Sequence, residues 1–305
     1  MGNRTYDSHD VREGFVDTDD VRLHYLEWPG SGCAVTLGHA TGFLAWLWEP
    51  VARHLAGRFH VYAYDARGHG DSDKPASGYS WATLARDYTA LVESLGLGTV
   101  LPVAHSVGCA AALTFAARHP ERVPKLVLIE PSILPLPTSR HEGVSGLDLQ
   151  RYTLMAVYAM ERVMEVAGAA RRRRSRWSSR QQMFESYRAR LPFRRWHPDV
   201  LSLYVDQGTR QVQDGSIELK CPPEVEAQVF EGYLELDAWS LAPSVKAEVL
   251  VLMGSDTELI YSFAATELAK RLERARLQVV EGASHFLPME CPELIARTAA
   301  DFFEA

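Results

Sequence analysis

Cysteine is scarce and scattered in this chain. Cys33, Cys109, Cys221 and Cys291 form no C-x-x-C pair, which argues against a zinc site or disulfide framework and for free, buried thiols. No apolar run approaches the roughly 20 residues of a membrane span. The first ten residues are polar and lack the apolar core of a secretory signal. The Met1-Gly2 start lacks the Ser or Thr that myristoylation wants at position six, where Tyr6 stands. Together these absences make the cytoplasm the expected location. Positive charge is not in excess either. Lys and Arg number 32 against 39 Asp and Glu, giving a formal net charge of -7 and a pI near 5.9. That balance argues against general nucleic-acid binding. No internal repeat marks a solenoid or propeller.

What is present is a globular composition, with 47% hydrophobic and 23% charged residues over 305 positions. That is enough to bury a core in one large domain carrying an insertion. The first 130 residues alternate short apolar strands with helical segments. Phe15–Thr18 and Val21–Trp28 read as paired strands around Asp19-Asp20, followed by strands at Cys33–Leu37, Phe59–Tyr64, Val100–Ala104 and Lys125–Ile129. Helical spacing falls at Trp46–His54, Trp81–Leu95 and Val107–Arg118. The rhythm predicts a mostly parallel sheet with helices on both faces. It stops at Pro131 and resumes near residue 246, with strands at Ala247–Met253 and Arg276–Val280 and helices at Ser262–Arg271 and Pro292–Phe303. The segment between is expected to be mainly helical, with an amphipathic stretch at Tyr152–Ala167. Residues 1–130 and 246–305 are thus expected to form one α/β core, and 131–245 an insertion.

Three local patterns carry chemistry. Ala104-His105-Ser106-Val107-Gly108 joins a buried strand to a helix of small residues. A Ser in such a strand–turn–helix sits on a sharp elbow that needs small residues two positions to either side. The helix start also presents free N–H groups that favour developing negative charge. The bland alternative is an ordinary helix-capping Ser. The other members of a nucleophile–acid–His set are expected downstream, at strand ends. Gly254-Ser255-Asp256 and Gly282-Ala283-Ser284-His285 occupy such places. His285 is the candidate base and then acid, and Asp256 its candidate orienting partner. Glu258 and Glu130 are alternatives for the acid. In Gly38-His39-Ala40-Thr41-Gly42 a glycine-rich turn follows a buried strand. The backbone N–H groups of Thr41 and Val107 are the candidate oxyanion hole, with a plain glycine turn as the alternative reading.

Taken together these residues resemble the α/β-hydrolase superfamily, in its serine-nucleophile branch with a helical cap. The run Asp65-Ala66-Arg67-Gly68-His69-Gly70-Asp71-Ser72 is similar to one the family carries after its fourth strand, where its role is mostly structural. The resemblance covers almost the whole chain apart from the insertion. It implies an eight-stranded sheet and a cap, at 131–245, that roofs the site. The sequence departs from the family pattern at Ala40, at Ala104, and at Asp256, which stands two rather than three residues after its glycine. A Ser at the nucleophile position argues against epoxide hydrolases and haloalkane dehalogenases of this fold, which use Asp.

The resulting expectation is an ester or lactone hydrolase for small apolar substrates, working through an acyl-enzyme. Carbon–carbon bond hydrolases and perhydrolases share the same machinery, and a small-molecule receptor could keep the fold. No metal or organic cofactor is expected, and the chain is expected to be a monomer or homodimer. The arginines at 171–174 and 176 read as a solvated face of the insertion, with one guanidinium reaching the entrance as the alternative. Trp46, Trp48, Trp177, Trp196 and Trp239 are candidate pocket or packing residues.

Overall fold

Two polar turns and a run of short apolar segments lay out the first half of the chain, described here from a computed structural model for residues 11–139 and 146–305. The polar N-terminal segment with Met1-Gly2 and Tyr6, on which the signal and myristoylation readings fall, lies outside the described residues. β1 (Arg12–Asp17) and β2 (Arg22–Trp28) pair antiparallel. The turn between them is tied by Thr18, whose hydroxyl donates to the Val21 carbonyl and accepts from the Val21 N–H. β3 (Ala34–Gly38), α1 (Glu49–Leu55), β4 (His60–Tyr64) and α2 (Trp81–Ser94) follow. Next come β5 (Val100–His105), α3 (Gly108–Arg118) and β6 (Lys125–Ile129).

From Pro131 the pattern changes. α4 (Gly146–Arg172) is longer than the amphipathic stretch expected, because its first turns are exposed and show no apolar face. Then come β7 (Arg176–Trp177), α5 (Arg180–Arg188), α6 (Pro198–Gln207), β8 (Thr209–Gln211), β9 (Ile217–Leu219), α7 (Pro223–Glu231) and α8 (Ala238–Leu241). β7, β9 and β8 make a three-stranded antiparallel sheet that the sequence reading did not anticipate. Strands of two or three residues are too short for an alternation to register. α4 meets α7 through Ala167, Ala170 and Ala227, small side chains that let the two helices approach closely. The α/β rhythm returns with β10 (Glu248–Gly254), α9 (Leu259–Arg271), β11 (Ala275–Val280), α10 (Leu287–Glu290) and α11 (Pro292–Glu304).

The main sheet has eight strands in the order β1-β2-β4-β3-β5-β6-β10-β11. β2 joins β4 antiparallel, and every pair from β4 to β11 is parallel. β5 is buried at all six positions, as expected for a central strand covered on both faces. One face carries α1 and α11 on a core that includes Leu37, Val103 and Leu252. The other carries α2, α3 and α9, with Leu113, Phe115 and Leu268 in the core. The chain leaves β3 toward β4 on one side and β5 toward β6 on the other. A crevice therefore opens between the C-terminal ends of β3 and β5, where such sheets bind ligands.

The Asp65–Ser72 segment is a knot of internal bonds. Asp65 accepts N–H bonds from Ala45 and Asp71 and pairs with His24, which holds its carboxyl down at about 2 despite burial. The Arg67 fork is fully buried between Asp87 and Asp20. No helix of the described residues is long and apolar enough to cross a membrane. All four cysteines are free; Cys109 and Cys221 are buried, but Cys33 is exposed.

Candidate active site

Ser106 sits directly after β5, in the left-handed region at φ 54°. An L residue held there stores about 1–3 kcal/mol of strain, which surrounding contacts must offset. Its N–H donates to the Ile129 carbonyl, and the first turn of α3 closes back onto it from Cys109. Gly108 explains the small-residue requirement on the helix side, since a Cβ there would lie 2.9 Å from both the Gly38 and His39 carbonyl oxygens. On the strand side Ala104 is accommodated. An ideal Cβ on neighbouring Gly38 would still clear the Ala104 Cβ by 3.6 Å.

The Ser106 hydroxyl lies 3.1 Å from His285 Nε2, and His285 Nδ1 lies 3.2 Å from Glu130 Oε2. Glu130, not Asp256, is therefore the carboxylate that meets the histidine. It follows β6, is fully buried, and like Ser106 has a positive φ, 50°. Its Oε1 accepts the Gly254 N–H at 2.6 Å, and its Oε2 accepts the Thr257 hydroxyl at 2.7 Å. Asp256 is turned away. Its N–H is tied to the Ala283 carbonyl, while its half-exposed carboxylate (49%) pairs with Arg195 at 3.1 Å. Gly254 packs so tightly on Ala283 that a Cβ would stand 2.1 Å from its carbonyl, which fixes this turn. Glu258 also points elsewhere, to Arg162.

Hydrogen-bond directions follow from this arrangement. With Nδ1–H donated to Glu130, Nε2 is free to accept the Ser106 proton. Ser132, which the sequence reading overlooked, lies 3.0 Å from Ser106 Oγ and must then be the donor to it. His105 is a second unanticipated contributor. It is buried, and its Nε2–H donates to the His285 carbonyl at 2.7 Å, anchoring the histidine loop from inside the elbow. Burial depresses its pKa well below the ordinary histidine value, so it stays neutral. Tyr261 stacks on the His285 ring at 3.9 Å between centroids.

The turn after β3 is braced with equal care. The Ala40 carbonyl accepts from the Phe43 N–H and from His39 Nδ1, at 3.1 and 2.8 Å. In a trans peptide this aims the Thr41 N–H the opposite way. Neither that N–H nor the Val107 N–H has a partner among the described residues, and both residues border the cavity beside Ser106. His39 Nε2 accepts from the Ala66 N–H and His69 Nε2 from the Gly42 N–H, which places both imidazole protons on Nδ1. His69 Nδ1–H donates to the Arg67 carbonyl. The Asp65–Ser72 run thus buttresses the turn.

Burial depresses His39 and His69, the latter to about 3. Below the ordinary value of 6.5 the unfolded chain takes up a proton at position 69 that the folded chain refuses until about pH 3. Stability from this group is therefore complete above 6.5 and lost as pH falls toward 3, at about 1.4 kcal/mol per pH unit. His24, raised by Asp65, works in the opposite sense, so the test is a difference. Urea midpoints at pH 7 and pH 5 should drop further in the wild type than in His69→Gln, whose amide oxygen can still accept from Gly42.

Above Ser106 lies a cavity of about 320 Å³. Its walls are largely apolar, with Phe43, Trp81, Leu134, Val163, Phe230 and Tyr233 among them. Of the five tryptophans singled out above, none lines it; Trp48, Trp177, Trp196 and Trp239 are buried, and the half-buried Trp46 packs against the core. The arginine run divides. Arg171 and Arg176 are surface ion pairs and Arg174 lies over the Trp177 ring, but Arg173 is turned inward to the cavity. Each arginine on the wall has a carboxylate partner there, Arg162 with Glu258 and Arg173 with Glu226. Among the described residues, the three side chains close enough to share a cation, His24, Asp65 and Asp71, do not line the cavity.

Comparison with known proteins agrees with this architecture. The 2-(acetamidomethylene)succinate hydrolase of Mesorhizobium japonicum is 27% identical over 291 residues, covering 95% of this chain and 94% of its own. A crystal structure of E-2-(acetamidomethylene)succinate hydrolase superimposes with a TM-score of 0.78 at 24% identity, covering 97% of this chain and all of the other. A non-heme chloroperoxidase of Streptomyces lividans is 26% identical over 92% of this chain and 96% of its own. The family described as alpha/beta hydrolase fold matches residues 39–292. An eight-stranded, mostly parallel sheet with a helix-rich insert after its sixth strand is the architecture of that family, and this chain belongs to it.

Proposed function

We propose that the protein is a serine hydrolase that cleaves uncharged carboxylic esters or lactones. Membership of the family and the hydrolase relatives support an enzyme that hydrolyses its substrate. The finer reading rests above all on the continuous chain Ser106–His285–Glu130 beside two N–H groups that have no partner among the described residues. Ser106 Oγ attacks the carbonyl carbon as its proton passes to His285 Nε2. The oxyanion forms against the Thr41 and Val107 N–H groups, and Glu130 stabilises the imidazolium. Collapse breaks the bond to the leaving oxygen, which takes the proton from His285. Water then attacks the acyl-enzyme with His285 as base, and the acid leaves.

The cavity wall favours a neutral, apolar substrate. Its two guanidiniums are already matched by two carboxylates, and about 320 Å³ suits a short or medium acyl group. In this reading the insert at 131–245 is a cap that supplies much of that wall. The relationship to a protein named a chloroperoxidase favours perhydrolysis as a second reading, with hydrogen peroxide in place of water at the acyl-enzyme. A fluorophosphonate probe tests the central claim. Rapid labelling, mapped to the peptide carrying Ser106 and matched by hydrolysis of p-nitrophenyl butyrate, is the expected result. No labelling and no turnover across a panel of esters and lactones would indicate a binding protein.

A further inference from the structure

The oxyanion turn is held from two sides, and the second side belongs to the insert. Gly42, next to Thr41, has φ 81° and lies so close to the insert that a Cβ would stand 2.7 Å from Glu226 Oε1 and 3.3 Å from Arg173 Nη1. Its N–H is taken by His69 of the core. Its carbonyl is taken by the Tyr204 hydroxyl of α6, at 3.2 Å. Arg173 donates to that same hydroxyl at 2.8 Å and is charge-paired with Glu226 of α7. The direction is forced. A guanidinium can only donate, so the Tyr204 oxygen accepts from Arg173 and its own proton goes to Gly42. All three side chains come from the segment between β6 and β10, and Tyr204 is 2% exposed.

We propose that Tyr204, oriented by the Arg173–Glu226 pair, is a positioning residue that makes the oxyanion hole depend on the seating of the insert. With Gly42 fixed at both its N–H and its carbonyl, and the Ala40 carbonyl fixed on the other side, the Thr41 N–H has one direction. Releasing the Gly42 carbonyl frees the Gly42–Phe43 peptide, whose Phe43 N–H donates to the Ala40 carbonyl, and so lets the Ala40–Thr41 peptide tilt. The inference rests on the serine-hydrolase reading above, in which the Thr41 N–H meets the oxyanion. It also assigns the inward arginine a structural charge balance rather than a substrate contact.

Tyr204→Phe removes only the hydroxyl and keeps a ring among Phe43, Tyr187 and Phe193. The expected result on a neutral ester is a fall in kcat of about tenfold with KM within about twofold. That is less than the 10²–10³ lost when an oxyanion donor is deleted. Affinity for a trifluoromethyl ketone, which forms a mimic of the oxyanion, should weaken by about the same factor. Affinity for the alcohol product should not move. Arg173→Lys, which keeps a cation near Glu226 but loses the fork to Tyr204, should shift the same ratio of ketone to product affinity in the same direction. An unchanged kcat in Tyr204→Phe, or equal weakening of ketone and product in either variant, overturns the proposal. A protein that neither labels at Ser106 nor turns over esters would instead overturn the underlying reading.

Discussion

Glu130→Gln should lower kcat by a factor on the order of 10³–10⁴ while Asp256→Asn leaves it within about twofold. Glutamine fills the same space, but its amide cannot accept at both ends. Its oxygen is drawn to the Gly254 N–H, which Glu130 now holds at 2.6 Å. The NH₂ group then faces Thr257 and His285 Nδ1. Thr257 can reverse its hydroxyl, but the imidazole can oblige only by accepting at Nδ1 and carrying its proton on Nε2. In that tautomer it points a proton at Ser106 and cannot take one away. Asp256→Asn merely weakens a half-exposed ion pair with Arg195, of a kind worth about 0–1 kcal/mol. Steady-state kinetics on both variants, with circular dichroism to confirm folding, decides the matter. Loss of activity in Asp256→Asn together with survival in Glu130→Gln would reassign the acid.

Ser106→Ala should remove turnover by a factor on the order of 10⁵–10⁶, since no acyl-enzyme can form and the remaining groups act as a unit only with the nucleophile present. Stability should barely change. Alanine keeps the Cβ, so the cost of the left-handed backbone at φ 54° is the same in both proteins. What is lost is one hydroxyl shared between His285 and Ser132. Those two groups border the cavity and can be rehydrated there. The variant should therefore melt within a few degrees of wild type while a fluorogenic butyrate ester shows no turnover above background. Substantial residual activity would mean that another group makes the attack.

Local pattern suffices for the regular elements of the core. β6 spans Lys125–Ile129 as its apolar run predicts, and the hairpin, the helices after β3 and β5, and the two closing βα units fall within a few residues of their periodic segments. Those signals are local: each strand or helix announces itself by which of its own faces is apolar. The short β7–β9 sheet carries no such signal. Glu130 was visible as a charged residue ending a buried strand just before Pro131, yet so were Asp256 and Glu258 near the end of another. Choosing among them required knowing that β6 lies between β5 and β10, which places Glu130 between Ser106 and Gly254.

From the sequence alone followed the α/β core, the inserted segment, the elbow at Ser106 and the histidine at 285. Each is written in a strand, a turn and a few small residues that lie side by side in the chain. Only the tertiary structure decided which carboxylate meets His285, which arginine turns inward, and which side chain meets the Gly42 carbonyl. Those answers join residues 155, 53 and 162 positions apart. They depend on side-chain directions at the ends of neighbouring strands and helices, and a one-dimensional pattern of apolar and polar residues does not encode such directions.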